Sequence, residues 1–151
     1  MMMEIRKATK KHMEESLEIA RDLKEWFTKE ALKNMNIDFK INNLFVAVDK
    51  EVVVGFLCYN SKDGIMNFIW AGVKREFQRK GIGRNLLDYV VSEARKLGMK
   101  TIEVETLTEE EDYKPYELTR NFYKKYGFKK IYTKRAVKKG WDDVDVMELE
   151  I

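Results

Sequence analysis

The sequence predicts a mixed α/β (α+β) fold with a mostly antiparallel sheet flanked by helices. Three observations lead there. Short apolar or alternating runs recur along the chain. Turn residues separate some of them closely enough for hairpins. Helix-spaced apolar residues separate others, once in the order strand–helix–strand, which makes a parallel pair. At 151 residues the chain is read as one domain, 1–151. Its 44% hydrophobic content is enough to fold around a core rather than stay disordered.

"MEIRKAT" (3–9) reads as a short strand, and Thr9 is placed to cap the helix that follows. Met13, Leu17, Ala20, Phe27 and Ala31 recur at helical spacing between charged residues. Asn34, Asn36 and Asp38 predict a break. "LFVAV" (44–48) and "VVVGFLCYN" (52–60) form a hairpin around Asp49-Lys50-Glu51. "SKDG" turns the chain into a strand at 65–73. A helix follows from about Gly83 to Leu97. Ile82, Leu86, Val90, Ala94 and Leu97 share one face, and Gly98 ends it. "KTIEVETL" (100–107) alternates as a strand. Pro115 suits the first turn of a helix running to Tyr126, which Gly127 ends. "FKKIYTKRA" and "VDVMELEI" complete the chain as strands.

Composition excludes several roles. The net charge is +3, from 29 basic and 26 acidic residues, too small an excess to predict a nucleic-acid partner. The basic run "KKIYTKRAVKKG" alternates as a strand with one solvated face. The one cysteine, Cys58, lies in an apolar run and reads as a buried structural thiol. With no disulfide to form within the chain, a reducing, cytoplasmic location is expected. "MMMEIRKATKKH" has no apolar leader, and no run of about 18 apolar residues predicts a membrane span. No pair of cysteines or histidines offers a metal site, and His12, at a helix start, reads as a surface residue.

The segment Gln78-Arg79-Lys80-Gly81-Ile82-Gly83-Arg84 joins a strand to a helix. Backbone N–H groups at a helix start have no intrahelical partner and lie at the positive end of the dipole. Glycine allows close approach, and three cations add charge, so the segment suits a diphosphate. A Walker loop is absent. A dinucleotide fingerprint would need glycine where Leu86 stands, although Glu103 or Glu105 occupies about the place of a ribose-binding acid. A tight turn with a solvated basic face is the remaining alternative.

"QRKGIG" matches the Q/R-x-x-G-x-G/A signature, and "NFYKKYGF" (121–128) resembles F-Y-x-x-x-G-F. Together, and in this element order, they resemble the GNAT superfamily of N-acetyltransferases over nearly the whole chain. The resemblance implies a central sheet of six or seven strands with a splayed parallel pair. It implies acetyl-CoA as co-substrate, its pyrophosphate on the amides of residues 78–84 and its pantetheine arm along Ala71, Gly72 and Val73. A neutral amine then attacks the thioester directly, with no acyl-enzyme. Tyr123 matches the tyrosine that protonates the leaving thiolate. A phenol of pKa about 10 donating to a thiolate of about 8.5 is uphill, so it assists rather than dominates. The alternative is that Tyr123 only packs, although Phe122 and Leu118 form the apolar line of that helix. Glu105, on the strand face opposite Ile102 and Val104, is the candidate base. The alternatives are a plain surface carboxylate, or proton loss to water.

The chain departs from a common family pattern by carrying Tyr116 where many members have asparagine. "YELTRNFYKKYGF" resembles instead a branch with Tyr-x-x-Thr-Arg-x-Phe-Tyr. Trp70, Tyr113, Tyr116 and Trp141 are candidates for the acceptor cleft, together with Tyr59, while Trp26 and Phe27 read as core. The run Glu109-Glu110-Glu111-Asp112 is either a solvated loop or an attraction for a cationic amine. The implied acceptor is a primary amine of a small molecule or peptide. The alternative function is a CoA-binding sensor or scaffold without turnover. The family's frequent dimers allow a homodimer.

Overall fold

The computed structural model describes residues 3–151. Met1 and Met2, at the head of the segment read as free of an apolar leader, lie outside them. The chain runs β1 (Met3–Lys7), α1 (Lys10–Asp22), α2 (Lys29–Ile41), β2 (Asn43–Asp49), β3 (Val52–Lys62), β4 (Ile65–Val73), α3 (Ile82–Lys96), β5 (Thr101–Leu107), α4 (Lys114–Tyr126), β6 (Lys129–Lys134) and β7 (Val144–Glu150). Seven strands form one sheet in the order β1-β2-β3-β4-β5-β7-β6. Every neighbouring pair is antiparallel except β4 and β5. This is the predicted mixed, mostly antiparallel fold. Among the described residues no helix is long and apolar enough to cross a membrane.

The hairpin turns follow from backbone sterics. Lys50 and Glu51 join β2 to β3 at φ 50° and 65°, and Asp63 and Gly64 join β3 to β4 at 55° and 79°. Two positive φ values match the right-handed twist of the flanking strands. Thr9 caps α1: its Oγ1 accepts from the His12 N–H at 3.3 Å, and His12 Nδ1 accepts from the Thr9 N–H at 3.0 Å. His12 is therefore half of a capping box.

Two expectations fail here. The first helix does not run through Ala31 to a break at Asn34–Asp38. It ends at Asp22, and Thr28, whose hydroxyl accepts from the Ala31 N–H, caps a second helix through those residues. Two buried anchors, Met35 and Phe39, hold that helix to the sheet. Asp38 is engaged by the Trp70 indole N–H at 2.7 Å, so it cannot compete for the local backbone. Leu97 also departs: it lies past the last turn of α3, 66% exposed.

The sheet is covered on both faces. Leu17, Ala20, Met35 and Phe39 of α1 and α2 pack on Val46, Phe56 and Cys58. Leu87, Val90 and Ala94 of α3, with Tyr123 of α4, pack on Leu57, Met66, Ile102 and Met147. Burial pushes the Cys58 thiol up to about 12, with Asp38 adding to the effect, so it is inert at neutral pH.

Gly72 sits where a side chain has no room. A Cβ there would lie 2.9 Å from two ring atoms of Phe56, which is fully buried between Phe27 and Phe39. Gly72→Ala is expected to cost about 1–3 kcal/mol by overpacking, read as a lower urea midpoint at unchanged slope.

Asp145 of β7 ties the β5–α4 loop to the sheet. It accepts from the Thr108 and Thr133 hydroxyls and the Glu109 N–H, each at 2.9 Å. Burial opposes its ionisation, but these bonds and Lys130 outweigh that and hold the carboxyl below its usual range. A depressed folded pKa contributes stability above the unfolded value of about 3.9, lost as pH falls through the folded one. Asp145→Asn is expected to lower stability at pH 7 and to flatten the acid limb below about pH 4, measured by denaturant titration across pH.

Candidate active site

β4 and β5 pair only from Ile65↔Thr101 to Phe68↔Val104. Both strands continue, to Val73 and Leu107, but not together. The cause lies in β4. Its pairing with β3 slips between Cys58↔Trp70 and Tyr59↔Phe68, leaving Ile69 as an extra residue. A bulge of this kind bends the strand and raises its twist. Met66 and Phe68 face α3 before it, Ala71 and Val73 after it. β5 stays bonded to β7 as far as Leu107↔Val144. Each strand follows its own neighbour, and a cleft of about 530 Å³ opens between them. Ala71, Gly72 and Val73 line it, on a strand edge with no partner on the β5 side. Unpaired strand edges are ready to bond an extended chain.

The glycine loop closes one end. Gln78 donates its side-chain N–H to the Val73 carbonyl at 3.0 Å, folding the loop back on β4. Arg79 and Gly81 take left-handed backbone, φ 63° and 84°. No side chain caps α3, so its first N–H groups point into the loop. Gln78, Arg79, Gly81, Ile82, Gly83 and Arg84 line the cleft; Lys80 does not, and its ammonium lies over the Phe77 ring. Arg84 lies over the Tyr126 ring, whose hydroxyl donates to Asp88 at 2.7 Å. The two glycines answer different demands. Gly81 has open space around it but needs its positive φ. Gly83 has Phe122 against it, with ring carbon at 3.1 Å from where a Cβ would stand.

α4 forms the opposite wall with Tyr116, Leu118, Thr119, Phe122 and Tyr123. The expected apolar line is reversed. Phe122 and Leu118 are 37% and 46% exposed, whereas Tyr123 is only 6% exposed. The motif's glycine explains why. Gly127 turns at φ 127°, and the Phe128 N–H then bonds the Tyr123 carbonyl at 2.9 Å. That closure sets the Phe128 ring edge-on against Tyr123, centroids 5.1 Å apart. Among the described residues no hydrogen bond engages the Tyr123 hydroxyl, and the side chain lines the cleft. Burial, with Tyr116 adding to it, pushes its pKa well above that of a free phenol.

Glu105 also lines the cleft, half-exposed, with Lys134 Nζ at 3.3 Å from one oxygen. Alternation on β5 buries Val104 and Thr106 and turns Glu105 to the other face, the side of α1 and α2. Trp70, Trp26, Phe27 and Tyr116 line the cleft as well, while Tyr59, Tyr113 and Trp141 do not. Tyr59 is buried under α3, stacked with Phe45. Tyr113 donates its hydroxyl to the Glu25 carbonyl at 2.6 Å. Trp141, 60% exposed, packs under Lys138 in the β6–β7 loop. Thr119 was the wall residue easiest to overlook. It stands one turn before Tyr123, and its hydroxyl accepts from the Trp26 indole at 3.0 Å.

The sequence matches the family model described as "Acetyltransferase (GNAT) domain" over residues 40–130. We find no curated protein that matches the chain. Solved structures match it in fold over nearly its full length. A GNAT-family protein from Desulfovibrio desulfuricans superposes at TM-score 0.86 with 22% identity, covering 99% of each chain. The ribosomal-protein-S18-alanine N-acetyltransferase of Escherichia coli gives 0.80 at 18% identity, over 99% of this chain and 94% of that one. The PaiA N-acetyltransferase of Thermoplasma acidophilum, solved with coenzyme A, gives 0.78 at 19% identity over 100% of both. The splayed parallel pair, the uncapped glycine loop and the matched model together make this chain a member of the GNAT acetyltransferase family.

Proposed function

We propose that the protein transfers the acetyl group of acetyl-CoA to a primary amine, by direct attack in a ternary complex. The observation that carries this reading is the continuity of one cleft from the uncapped start of α3, along the unpaired edge of β4, to Tyr123 and Glu105. Its residues fit the co-substrate. The amides at the start of α3, with Arg79 and Arg84, suit the pyrophosphate, and the free backbone of Ala71–Val73 suits an extended arm bearing amides of its own. Acetyl-CoA supplies the activated acyl carbon.

The chain's own residues manage protons. An N–C bond forms as the C–S bond breaks, so the nitrogen loses one proton and the sulfur gains one. Glu105 is the acceptor within the walls, directly or through water. Tyr123 is the donor. Its raised pKa makes donation more uphill than a free phenol's, so its proton moves only as sulfur charge develops. A buried, neutral hydroxyl also keeps its proton throughout the working pH range.

Binding and chemistry separate by mutation. Arg79→Gly removes a phosphate-facing charge and a strained left-handed side chain, worth about 1–2 kcal/mol of strain. Isothermal titration is expected to show weaker CoA binding, at stability unchanged or raised within about 1 kcal/mol. Undiminished CoA affinity would remove Arg79 from the site.

Tyr123→Phe is expected to lower kcat by about 10- to 100-fold, at or below the low end of general acid catalysis, with the CoA dissociation constant unchanged. The wild-type rate is expected to show no alkaline loss below about pH 10 from this group. Tight CoA binding with no acetylation of any amine would point instead to a CoA-binding sensor.

A further inference from the structure

The cleft wall on the α1–α2 side is aromatic, and its hydrogen-bond donors are already engaged. The Trp26 indole N–H donates to the Pro115 carbonyl at 3.1 Å and to Thr119 Oγ1 at 3.0 Å. The Trp70 indole N–H donates to Asp38. The Tyr116 hydroxyl donates to the Trp26 carbonyl at 3.3 Å, and the Thr119 hydroxyl donates to the Pro115 carbonyl at 3.2 Å. Phe27 packs edge-on to Trp70, centroids 6.3 Å apart. What this wall offers an incoming molecule is ring surface, with no donor to spare.

The acidic groups point the same way. Glu105 is the one carboxylate among the residues lining the cleft, and its own ion pair is a single exposed contact, from Lys134 Nζ to one oxygen at 3.3 Å. Glu25 is held in a two-bond pair by Arg75, at 2.7 and 2.9 Å. Within the acidic run of the β5–α4 loop, Glu109 faces Lys130 and Lys124, Glu110 is held bidentate by Arg135, and neither Glu111 nor Asp112 lines the cleft. A polyamine would bring several charges to one carboxylate, and a sugar amine would bring several hydroxyls to a wall with no free donor and only the Tyr116 and Thr119 oxygens left to accept. Each would leave polar groups desolvated and unpaired.

We propose that the acceptor is a monoamine carried on an aromatic or bulky apolar skeleton. Its ring lies on Trp26, Phe27, Trp70 and Tyr116, and its nitrogen is directed to Glu105. This rests on the acetyl-transfer reading for the step itself, in which the acceptor nitrogen gains the acetyl carbon and loses a proton while CoA leaves as the thiol.

The test uses the whole chain saturated with CoA. 2-Phenylethylamine, spermidine and glucosamine are titrated against intrinsic tryptophan fluorescence, and acetylation of each is measured separately with acetyl-CoA. Phenylethylamine is expected to bind saturably and to be acetylated with kcat/KM at least ~10-fold above the other two, the range apolar pocket contacts supply. Trp70→Ala is expected to raise KM for phenylethylamine ~10-fold with kcat and CoA affinity little changed. Trp70→Phe keeps a ring but releases Asp38 just as Trp70→Ala does, so the expected recovery of most of the KM assigns the loss to the ring and not to that bond. Preference for spermidine or glucosamine overturns the inference, as does failure of phenylethylamine to bind the CoA-loaded protein. Saturable phenylethylamine binding without acetylation supports the aromatic wall and sinks the transfer reading instead.

Discussion

The site depends on one mismatch between two parallel strands. β4 carries an extra residue at Ile69 and β5 does not, so their ladder stops after Phe68 and Val104. Had it continued, the edge of Ala71–Val73 would be satisfied and no cleft would exist. The break opens that backbone to a cleft in mid-sheet and not to an outer edge, with α3 and α4 on one side and the α1–α2 connection on the other. Open pairing in mid-sheet leaves polar backbone unsatisfied, and it persists only where surrounding structure over-determines it.

That support is visible as a brace across the mouth. The 22–27 segment between α1 and α2 is fastened on one side to Arg75, just before the glycine loop, through Glu25 and the Asp22 carbonyl. On the other side it is fastened to the start of α4: Tyr113 bonds the Glu25 carbonyl, and Trp26 bonds Pro115 and Thr119. Arg75 holds the Glu25 carboxyl down to about 2, so the pair stays ionised at any working pH. Exposed ion pairs contribute little singly. Here they share a segment with an indole anchored on α4, and so fix the distance between the two strands' flanking elements.

Much of this was legible in residue patterns, and the limits of that legibility are physical. Local signals held: Asp63-Gly64 at a turn, Gly98 and Gly127 at helix ends, Thr9 as a cap, and alternation at 101–107. The parallel pair followed from element order, and its splay only from the family resemblance that the two motifs carry. What failed depended on distant partners. Asn34, Asn36 and Asp38 look like a helix breaker until Trp70, 32 residues on, takes the Asp38 carboxylate. Thr28 caps the second helix through the Ala31 N–H, but the apolar period from Met13 to Ala31 runs straight across it. Trp141 stands in a polar loop like a contact residue, yet it lies outside the cleft lining, exposed with Lys138 Nζ over its ring. No local pattern carries the bulge at Ile69, because a bulge is a property of two strands.

The reversed face of α4 shows how a motif encodes geometry. A hydrophobic count places Phe122 inside and Tyr123 outside. The helix is instead rotated so that Phe122 lies on Gly83 and Tyr123 enters the core. Two glycines make that rotation possible: Gly83 gives Phe122 a surface with no Cβ, and Gly127 brings Phe128 back onto Tyr123. The second glycine of the loop therefore serves α4 as much as any ligand. It couples the start of α3 to the helix that carries Tyr123. Burial then raises the pKa of that phenol above its free value, so the packing that positions the group also moves its titration further from neutral pH.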